Sequence, residues 1–286
     1  MSFSQKVREE LSRHISPARH CQLAELAAIY ACCGILDDAG GGNETLVIET
    51  ENAIAARKCF TLLKKSFNIY SCAAKEDEES IKVKGSVRRI EIEDENISAK
   101  VLGAVRSDTV TQNMCCKRAY LRGIFLCAGS VSDPDRSYHL EFVLRDRTQA
   151  EHICELLKAF DISAKVMERK KHHIAYIKEA SQIADILNVM EAHVALMDFE
   201  NSRILKDVRN VVNRRVNCET ANINKTVSAA VNQTALIEKL KTTEGYEGLS
   251  DQLKEIAELR LKFPEATLKE LGEMCDPPLG KSGVNH

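Results

Sequence analysis

Apolar residues recur at helical spacing from the first residues of the chain. Phe3, Val7 and Leu11 are interleaved with Lys6, Arg8, Glu9, Glu10 and Arg13, which predicts an amphipathic helix ending near Ile15. Ser16-Pro17 predicts an N-cap followed by proline at the first helical position. A helix then spans about 18–33, broken by Gly34 and by Gly40-Gly41-Gly42-Asn43. Thr45 to Thr50 (TLVIET) reads as a strand. Asn52 to Phe67 carries Ile54, Ala55, Cys59, Leu62 and Leu63 at helical spacing. Ile69 to Ala74, Ile81 to Lys84 and Val87 to Ile92 are strand-like, and Ala99 to Val105 is helical.

The next stretch repeats this order. A helix over 113–128 ends at Gly129, and Tyr138 to Leu144 (YHLEFVL) is a strand. Gln149 to Phe160 is a helix, Ala164 to Glu168 and Ile174 to Lys178 are strands, and Ala180 to Val189 is a helix. Matching landmarks keep a near-constant offset. Gly34 and Gly129 lie 95 residues apart, Leu62-Leu63-Lys64 and Leu156-Leu157-Lys158 lie 94 apart, and Phe67-Asn68-Ile69 and Phe160-Asp161-Ile162 lie 93 apart. The expected core is therefore a duplicated αββαββα-like unit.

Beyond it, Glu191 to about Val216 predicts one helix with an apolar stripe of Val194, Met197, Ile204, Leu205, Val208, Val211 and Val212. A short turn is expected at Asn217-Cys218-Glu219, then a helix over 224–241 and a polar linker, Thr242 to Gly248. Leu249, Leu253, Ile256, Leu259 and Phe263 form a last apolar stripe, stopped by Pro264. Thr267-Leu268-Lys269-Glu270 is a capping box opening a second short helix to about Met274. Asp276-Pro277-Pro278 breaks it, and Ser282 is placed to cap a third helix from Gly283. This is the plan of a helix-turn-helix, although an ordinary three-helix bundle has the same spacing. The sequence reaches His286 about one turn into that third helix, so the recognition helix is expected to be truncated here. The expected divisions are 1–110 (first repeat with its N-terminal helix), 111–190 (second repeat), 191–248 (helical connector) and 249–286 (helix-turn-helix domain).

The helices 26–34 (LAAIYACCG) and 121–129 (LRGIFLCAG) resemble the LAGLIDADG motif of homing endonucleases. Small residues, Ala27, Ala28 and Ala31 in one and Gly123 and Ala128 in the other, let two helix backbones approach closely. In those nucleases an acid precedes the final glycine and binds a divalent metal that stabilises the attacking and leaving oxygens. Here the positions hold Cys33 and Ala128, neither of which supplies the oxygen that Mg²⁺ wants. No catalytic residue is assigned. Asp37, Asp38, Asp133 and Asp135 fall past the glycines and are read as turn formers. The resemblance implies a sheet saddle over duplex DNA. Candidate backbone contacts are Lys82, Lys84, Arg88 and Arg89 in the first repeat and Lys165, Arg169, Lys170, Lys171 and Lys178 in the second. Arg214, Arg215 and Lys225 join them from the connector.

Composition narrows the class. Of 286 residues, 44% are hydrophobic and 29% charged, enough for one large or two modest globular domains. Neither a signal peptide nor an 18-residue apolar run is present, so no membrane partner is expected. The net charge of −2 does not advertise nucleic-acid binding, but its distribution is uneven. Residues 200–241 carry 8 Lys+Arg against 4 Asp+Glu, whereas 242–286 carry 5 against 9. The 11 cysteines are scattered, include Cys32-Cys33 and Cys115-Cys116, and contain no C-x-x-C. That pattern predicts reduced, mostly core thiols in the cytoplasm and neither a disulfide scaffold nor a structural zinc site, with a redox sensor as a lesser reading. His172-His173 lacks a third ligand at usable spacing and is read as an exposed hairpin. No metal and no cofactor are assigned.

RVNCETANINKTV at 215–227 and DPPLGKSGVNH at 276–286 are similar to signatures of the WhiA family, as is the helix 118–129. The resemblance covers essentially the whole chain. It implies an α+β fold, a duplicated LAGLIDADG homing-endonuclease-like domain without nuclease activity plus a small all-α helix-turn-helix domain. It further implies a nucleoid-associated transcriptional regulator of sporulation or of cell division and chromosome segregation. Its partners would be double-stranded DNA and RNA polymerase or another regulator. The DNA-reading candidates become Thr267, Lys269, Lys281, Ser282, Gly283, Asn285 and His286. Two other readings stay open: a metal-dependent DNA endonuclease, and a protein-interaction scaffold with little direct DNA contact.

Overall fold

The computed structural model describes residues 1–38, 44–69, 82–84, 86–92 and 94–285, and for 36–38, 44, 82–84 and 244 the backbone alone. The expected glycine break at 40–43 and strand residues 70–74 and 81 lie outside the described residues, as does His286. The chain divides into two compact units, Met1–Lys206 and Asp207–His286.

The first unit opens with α1 (Phe3–Arg13), which buries Phe3, Val7 and Leu11 as its spacing requires. Two αββαββα repeats follow. The first is α2 (Arg19–Cys33), β1 (Gly34–Asp38), β2 (Glu44–Thr50), α3 (Ala53–Phe67), β3 (Lys82–Lys84), β4 (Val87–Ile92) and α4 (Glu95–Val105). The second is α5 (Met114–Ala128), β5 (Gly129–Val131), β6 (Leu140–Leu144), α6 (Arg147–Lys158), β7 (Lys165–Arg169), β8 (His172–Ile177) and α7 (Ala180–Val189). Each repeat forms an antiparallel four-stranded sheet of the same order, β1-β2-β4-β3 and β5-β6-β8-β7.

Two local expectations change. Asp37 and Asp38 are not turn formers: they lie in β1, opposite Thr45 and Glu44. The backbone passes from α2 straight into β1 through an extended Gly34, and β2 offers the ladder partner that satisfies 34–38. Asp133 does shape a turn, its carboxylate accepting from the Asp135 N–H at 3.0 Å. The second change is at α2, whose N-cap is Ala18 with no side-chain cap; the Ser16 hydroxyl instead accepts from the Ala18 N–H at 3.4 Å.

Each repeat has its own core. Leu46, Ile48, Ile90 and Ile92 face Leu62 and Leu63 in the first, and Leu140, Phe142, Ala175 and Ile177 face Ile153 and Leu157 in the second.

Helix α8 (His193–Lys241) runs through the residues expected to turn at Asn217-Cys218-Glu219. That stretch holds neither glycine nor proline, so nothing in it forbids helix. The start of α8 is capped from afar. The Glu10 carboxylate of α1 accepts from the Val194 and Ala195 N–H groups at 2.8 and 2.9 Å, satisfying free donors at the positive helix end. The apolar stripe of this helix does not turn inward. Val194, Met197, Ile204, Leu205, Val208, Val211 and Val212 are exposed, while Ala195 and Phe199 are buried, Phe199 against Phe3 and Tyr138. The second unit adds α9 (Asp251–Lys262), α10 (Leu268–Glu273) and α11 (Lys281–Asn285). Among the described residues no helix is long and apolar enough to cross a membrane.

Candidate nucleic-acid interface

Helices α2 and α5 form the central seam of the first unit. A Cβ at Gly123 would sit 2.5 Å from the Glu25 carbonyl oxygen and 2.7 Å from the Ala28 Cβ, so only glycine permits this approach. The two helix ends are tied crosswise. Asn52 of the first repeat donates to the Leu126 carbonyl at 2.9 Å, and Gln149 of the second donates to the Ala31 carbonyl at 3.0 Å.

Cys33 and Ala128 stand immediately before Gly34 and Gly129, where the resembling nucleases keep their acids. Thiols cluster there instead. The Cys127 thiol is pushed well above its ordinary value, first by its hydrogen bond to Cys32 and then by that to Cys33. The hydrogen bond from Cys127 is also the main cause pulling Cys33 down, against its burial. A methyl group and soft sulfur do not fit a hard, oxygen-seeking divalent cation at these two positions.

In the second sheet Leu140, Phe142 and Leu144 point into the core, and Glu141 and Val143 face the other way. On that outer face β7 runs beside β8, with Lys165 opposite Tyr176 and Arg169 opposite His172. Every residue of β7 is exposed. Lys170, with φ 59, and Lys171 form the tip of the hairpin, and His172 is exposed beside them. Lys178 lies over the Tyr176 ring at 5.2 Å, and Arg169 approaches Glu141 at 3.6 Å. The second sheet thus gathers four exposed lysines, Lys165, Lys170, Lys171 and Lys178, around one hairpin.

The first sheet differs. Arg89 pairs with Glu49 at 2.8 Å and with Glu91 at 3.3 Å, and its backbone lies opposite Glu49 and Lys82. Arg88 donates to the Glu51 and Ser86 carbonyls at 3.0 and 3.3 Å. Both arginines are engaged within the repeat. Lys82 and Lys84 lie on the edge strand β3.

In the second unit the expected capping box is present. The Glu270 N–H donates to the Thr267 hydroxyl at 3.3 Å, and the Thr267 N–H donates to the Glu270 carboxylate at 2.7 Å. Those bonds hold the Glu270 carboxyl below the usual range, the backbone bond to Thr267 first. The turn into α11 is set by one close approach. The Leu279 N–H donates to the Gly272 carbonyl at 2.8 Å, and a Cβ on Gly272 would lie 2.1 Å from the Leu279 carbonyl oxygen. Helix α11 starts two residues before the expected Gly283, because the Gly280 carbonyl already accepts from the Val284 N–H at 3.2 Å. Ser282 is therefore inside the first turn and is not its cap. Lys281, Ser282, Gly283 and Asn285 are all exposed, as is Lys269, which pairs with Glu273 at 3.7 Å. On α8, Arg214, Arg215 and Lys225 are exposed, with Arg215 paired to Glu219 at 3.0 Å.

Spacing arguments missed one further grouping. His20, Cys21, Cys115 and Cys116, in the first turns of α2 and α5, bring four donor atoms within 4.8 Å of one another. The signal was available as the same 95-residue offset that relates Gly34 to Gly129.

Residues 19–86 match a model described as the WhiA N-terminal LAGLIDADG-like domain. Residues 117–209 match the WhiA LAGLIDADG-like domain, and 212–286 match the WhiA C-terminal HTH domain. The chain is 47% identical to a "Probable cell division protein WhiA" of Lachnoclostridium phytofermentans, covering 100% of this chain and 96% of that protein. It is 45% identical to the protein of that name from Heliobacterium modesticaldum, covering 100% and 93%. Among solved structures it is similar to full-length DUF199/WhiA from "Thermatoga maritima", with a TM-score of 0.65 and 25% identity over 100% of this chain and 94% of that one. The isolated N-terminal LAGLIDADG domain of DUF199/WhiA shares the fold, with a TM-score of 0.52 and 23% identity over 66% of this chain and 92% of that one.

Proposed function

The chain belongs to the WhiA family, and from that premise we propose that it is a DNA-binding transcriptional regulator of cell division. The same reading extends to sporulation and chromosome segregation, and places the protein in the cytoplasm at the nucleoid, acting with RNA polymerase or another regulator. One observation carries it: α10, its tight turn and α11 present Lys281, Ser282, Gly283 and Asn285 to solvent at the start of the third helix of a helix-turn-helix.

The duplicated unit holds duplex DNA without cutting it. Cys33 and Ala128 at the motif ends support that part of the reading, since neither offers the hard oxygen ligand metal-assisted hydrolysis uses. The second sheet is the principal backbone contact, through Lys165, Lys170, Lys171 and Lys178, because these side chains are exposed around one hairpin. The first sheet contributes less, because Arg88 and Arg89 are engaged inside the repeat. Such contacts position the duplex, and base edges supply the sequence information.

The test is fluorescence anisotropy of labelled duplexes carrying candidate division-gene promoters, titrated at several salt concentrations. A steep salt dependence with preference for one sequence supports the reading. Absence of binding at low salt removes its direct form and favours a protein-interaction scaffold. Mg²⁺-dependent cleavage of any duplex overturns the non-nuclease part.

A further inference from the structure

We propose that His20, Cys21, Cys115 and Cys116 form a zinc site that staples the N-terminal ends of α2 and α5. The site lies at the opposite end of the motif helices from Cys33 and Ala128.

The donors converge on the His20 imidazole. Its Nδ1 lies 3.2 Å from the Cys116 sulfur, 3.4 Å from the Cys21 sulfur and 4.0 Å from the Cys115 sulfur. A tetrahedral zinc with bonds of about 2.3 Å to sulfur and about 2.0 Å to nitrogen separates its ligands by roughly 3.5–3.8 Å. The three distances from Nδ1 bracket that separation, and all four donor atoms lie within 4.8 Å of one another. Three sulfurs and one imidazole form a Cys₃His set, the chemistry of structural zinc and unsuited to Mg²⁺ or Ca²⁺.

Duplication explains how the set arises. His20 and Cys21 occupy the second and third positions of α2, and Cys115 and Cys116 occupy the same positions of α5. Each helix contributes one exposed donor, His20 or Cys115, and one buried donor, Cys21 or Cys116. The exposed pair leaves a path for the ion, and the buried pair shields it.

Two further observations favour an anionic complex at this place. Neither N-cap residue, Ala18 or Asn113, accepts a hydrogen bond with its side chain, so no capping side chain offsets the positive end of either helix. Zinc bound to three thiolates carries a net charge of −1, which paired helix N-termini stabilise. Binding releases three thiol protons to solvent, while the neutral imidazole binds through Nδ1. The buried side chains at the site are small. The buried members of the local cluster are the small residues Cys21, Ala24, Cys116 and Ala119, with Ala18, Val110 and Tyr120 partly buried against them.

The experiment uses the full chain, purified without chelators in reductant under argon. The expected result is about one zinc per chain by elemental analysis, and after exchange, the intense visible bands of tetrahedral thiolate-bound cobalt. Cys21→Ser and Cys116→Ser lose the metal. Cys115→Ser, which removes a thiolate ligand at an exposed position, weakens cobalt binding while the circular dichroism spectrum stays native. Cys218→Ser, an exposed cysteine on α8, leaves the metal content unchanged. A folded chain without stoichiometric zinc and without the cobalt bands would falsify the proposal. So would zinc that survives the ligand substitutions in folded protein, an iron–sulfur cluster on the same cysteines, or a Cys21–Cys116 disulfide that persists in reductant.

Discussion

Lys58 on α3 and Glu25 on α2 form an ion pair of 3.1 Å in which both side chains are fully removed from solvent. Lys58 also donates to the Leu11 carbonyl at 3.1 Å and to the His14 carbonyl at the end of α1. Arg122 of α5, itself buried, lies 3.8 Å from Glu25 and 2.7 Å from Glu191. Burial dominates this group, pushing Glu25 up and Lys58 down from their ordinary values, with each partner opposing the shift. Removing Lys58 takes the nearer of two cations from the buried Glu25 carboxylate. Lys58→Met is expected to destabilise the first unit by about 3–5 kcal/mol. The double change Glu25→Leu, Lys58→Met should recover part of that loss. Chemical denaturation followed by circular dichroism checks both, and additive losses in the double variant would show that the pair is not coupled.

The seam between α2 and α5 should resist enlargement. Gly123→Ala drives a methyl into the Glu25 carbonyl, which belongs to a helix backbone and has little room to retreat. The expected cost is about 3 kcal/mol. Gly103, in α4, is the internal control. Among the described residues nothing lies within 4 Å of its Cβ direction, so Gly103→Ala should stabilise by roughly 0.5–1 kcal/mol. Opposite shifts in the denaturation midpoint are the expected readout.

Mild acid should weaken the first unit through His14. Burial first, and then Arg122, hold this imidazole below its ordinary value, despite Glu191 at 2.9 Å. The unfolded chain therefore takes up a proton before the native state does. The stability contributed at neutral pH is lost as pH falls through the ordinary histidine value of 6.5 towards the lower native one. His14→Gln should flatten the stability profile between about pH 7 and 5. An unchanged slope would assign the acid sensitivity to other groups.

The helix-turn-helix depends on its cap and its tight turn. Thr267→Ala should cost about 1 kcal/mol in the second unit. Glu270 sits below its usual value because of the same capping bonds, so its contribution is present above 4.5 and is lost as pH falls below it. Glu270→Gln should remove that acid dependence. Thermal melts of the chain at several pH values test both.

DNA binding should separate the two surfaces. Lys281→Ala and Asn285→Ala are expected to reduce sequence preference, each by about 1–3 kcal/mol of discrimination. Lys170→Ala with Lys171→Ala should weaken binding to all duplexes alike and reduce the slope of log affinity against log salt by about 1.8. Arg88→Ala should change neither. Anisotropy titrations on matched and scrambled duplexes distinguish these outcomes.

Much of this architecture could be read from the sequence, because duplication leaves landmarks that need no contacts to recognise. The Gly34 and Gly129 offset, the repeated leucine pairs and the alternation of YHLEFVL predicted two αββαββα repeats. The Thr267–Glu270 capping box is a local device and was legible for that reason. Elements defined by a distant partner were not. Strand β1 was hidden by Asp37 and Asp38 until β2 paired with it, and the start of α8 is capped by Glu10 from another helix. The apolar stripe of α8 has helical spacing, yet it is Phe199 and Ala195 that turn inward.

By itself the sequence determined the repeat, the absence of acids at Cys33 and Ala128 and the capped helix-turn-helix, because each is a pattern of neighbours along the chain. Only the tertiary structure decided which charges remain available. Register sets Glu49 opposite Arg89, engaging it in the first sheet, while the second sheet exposes its lysines around the β7–β8 hairpin. It also decided that two adjacent pairs, His20-Cys21 and Cys115-Cys116, meet as one set of four donors. The reason is geometric. Gly123 lets α2 and α5 pack at close range, and that approach brings their equivalent first turns together, a proximity that no local spacing encodes.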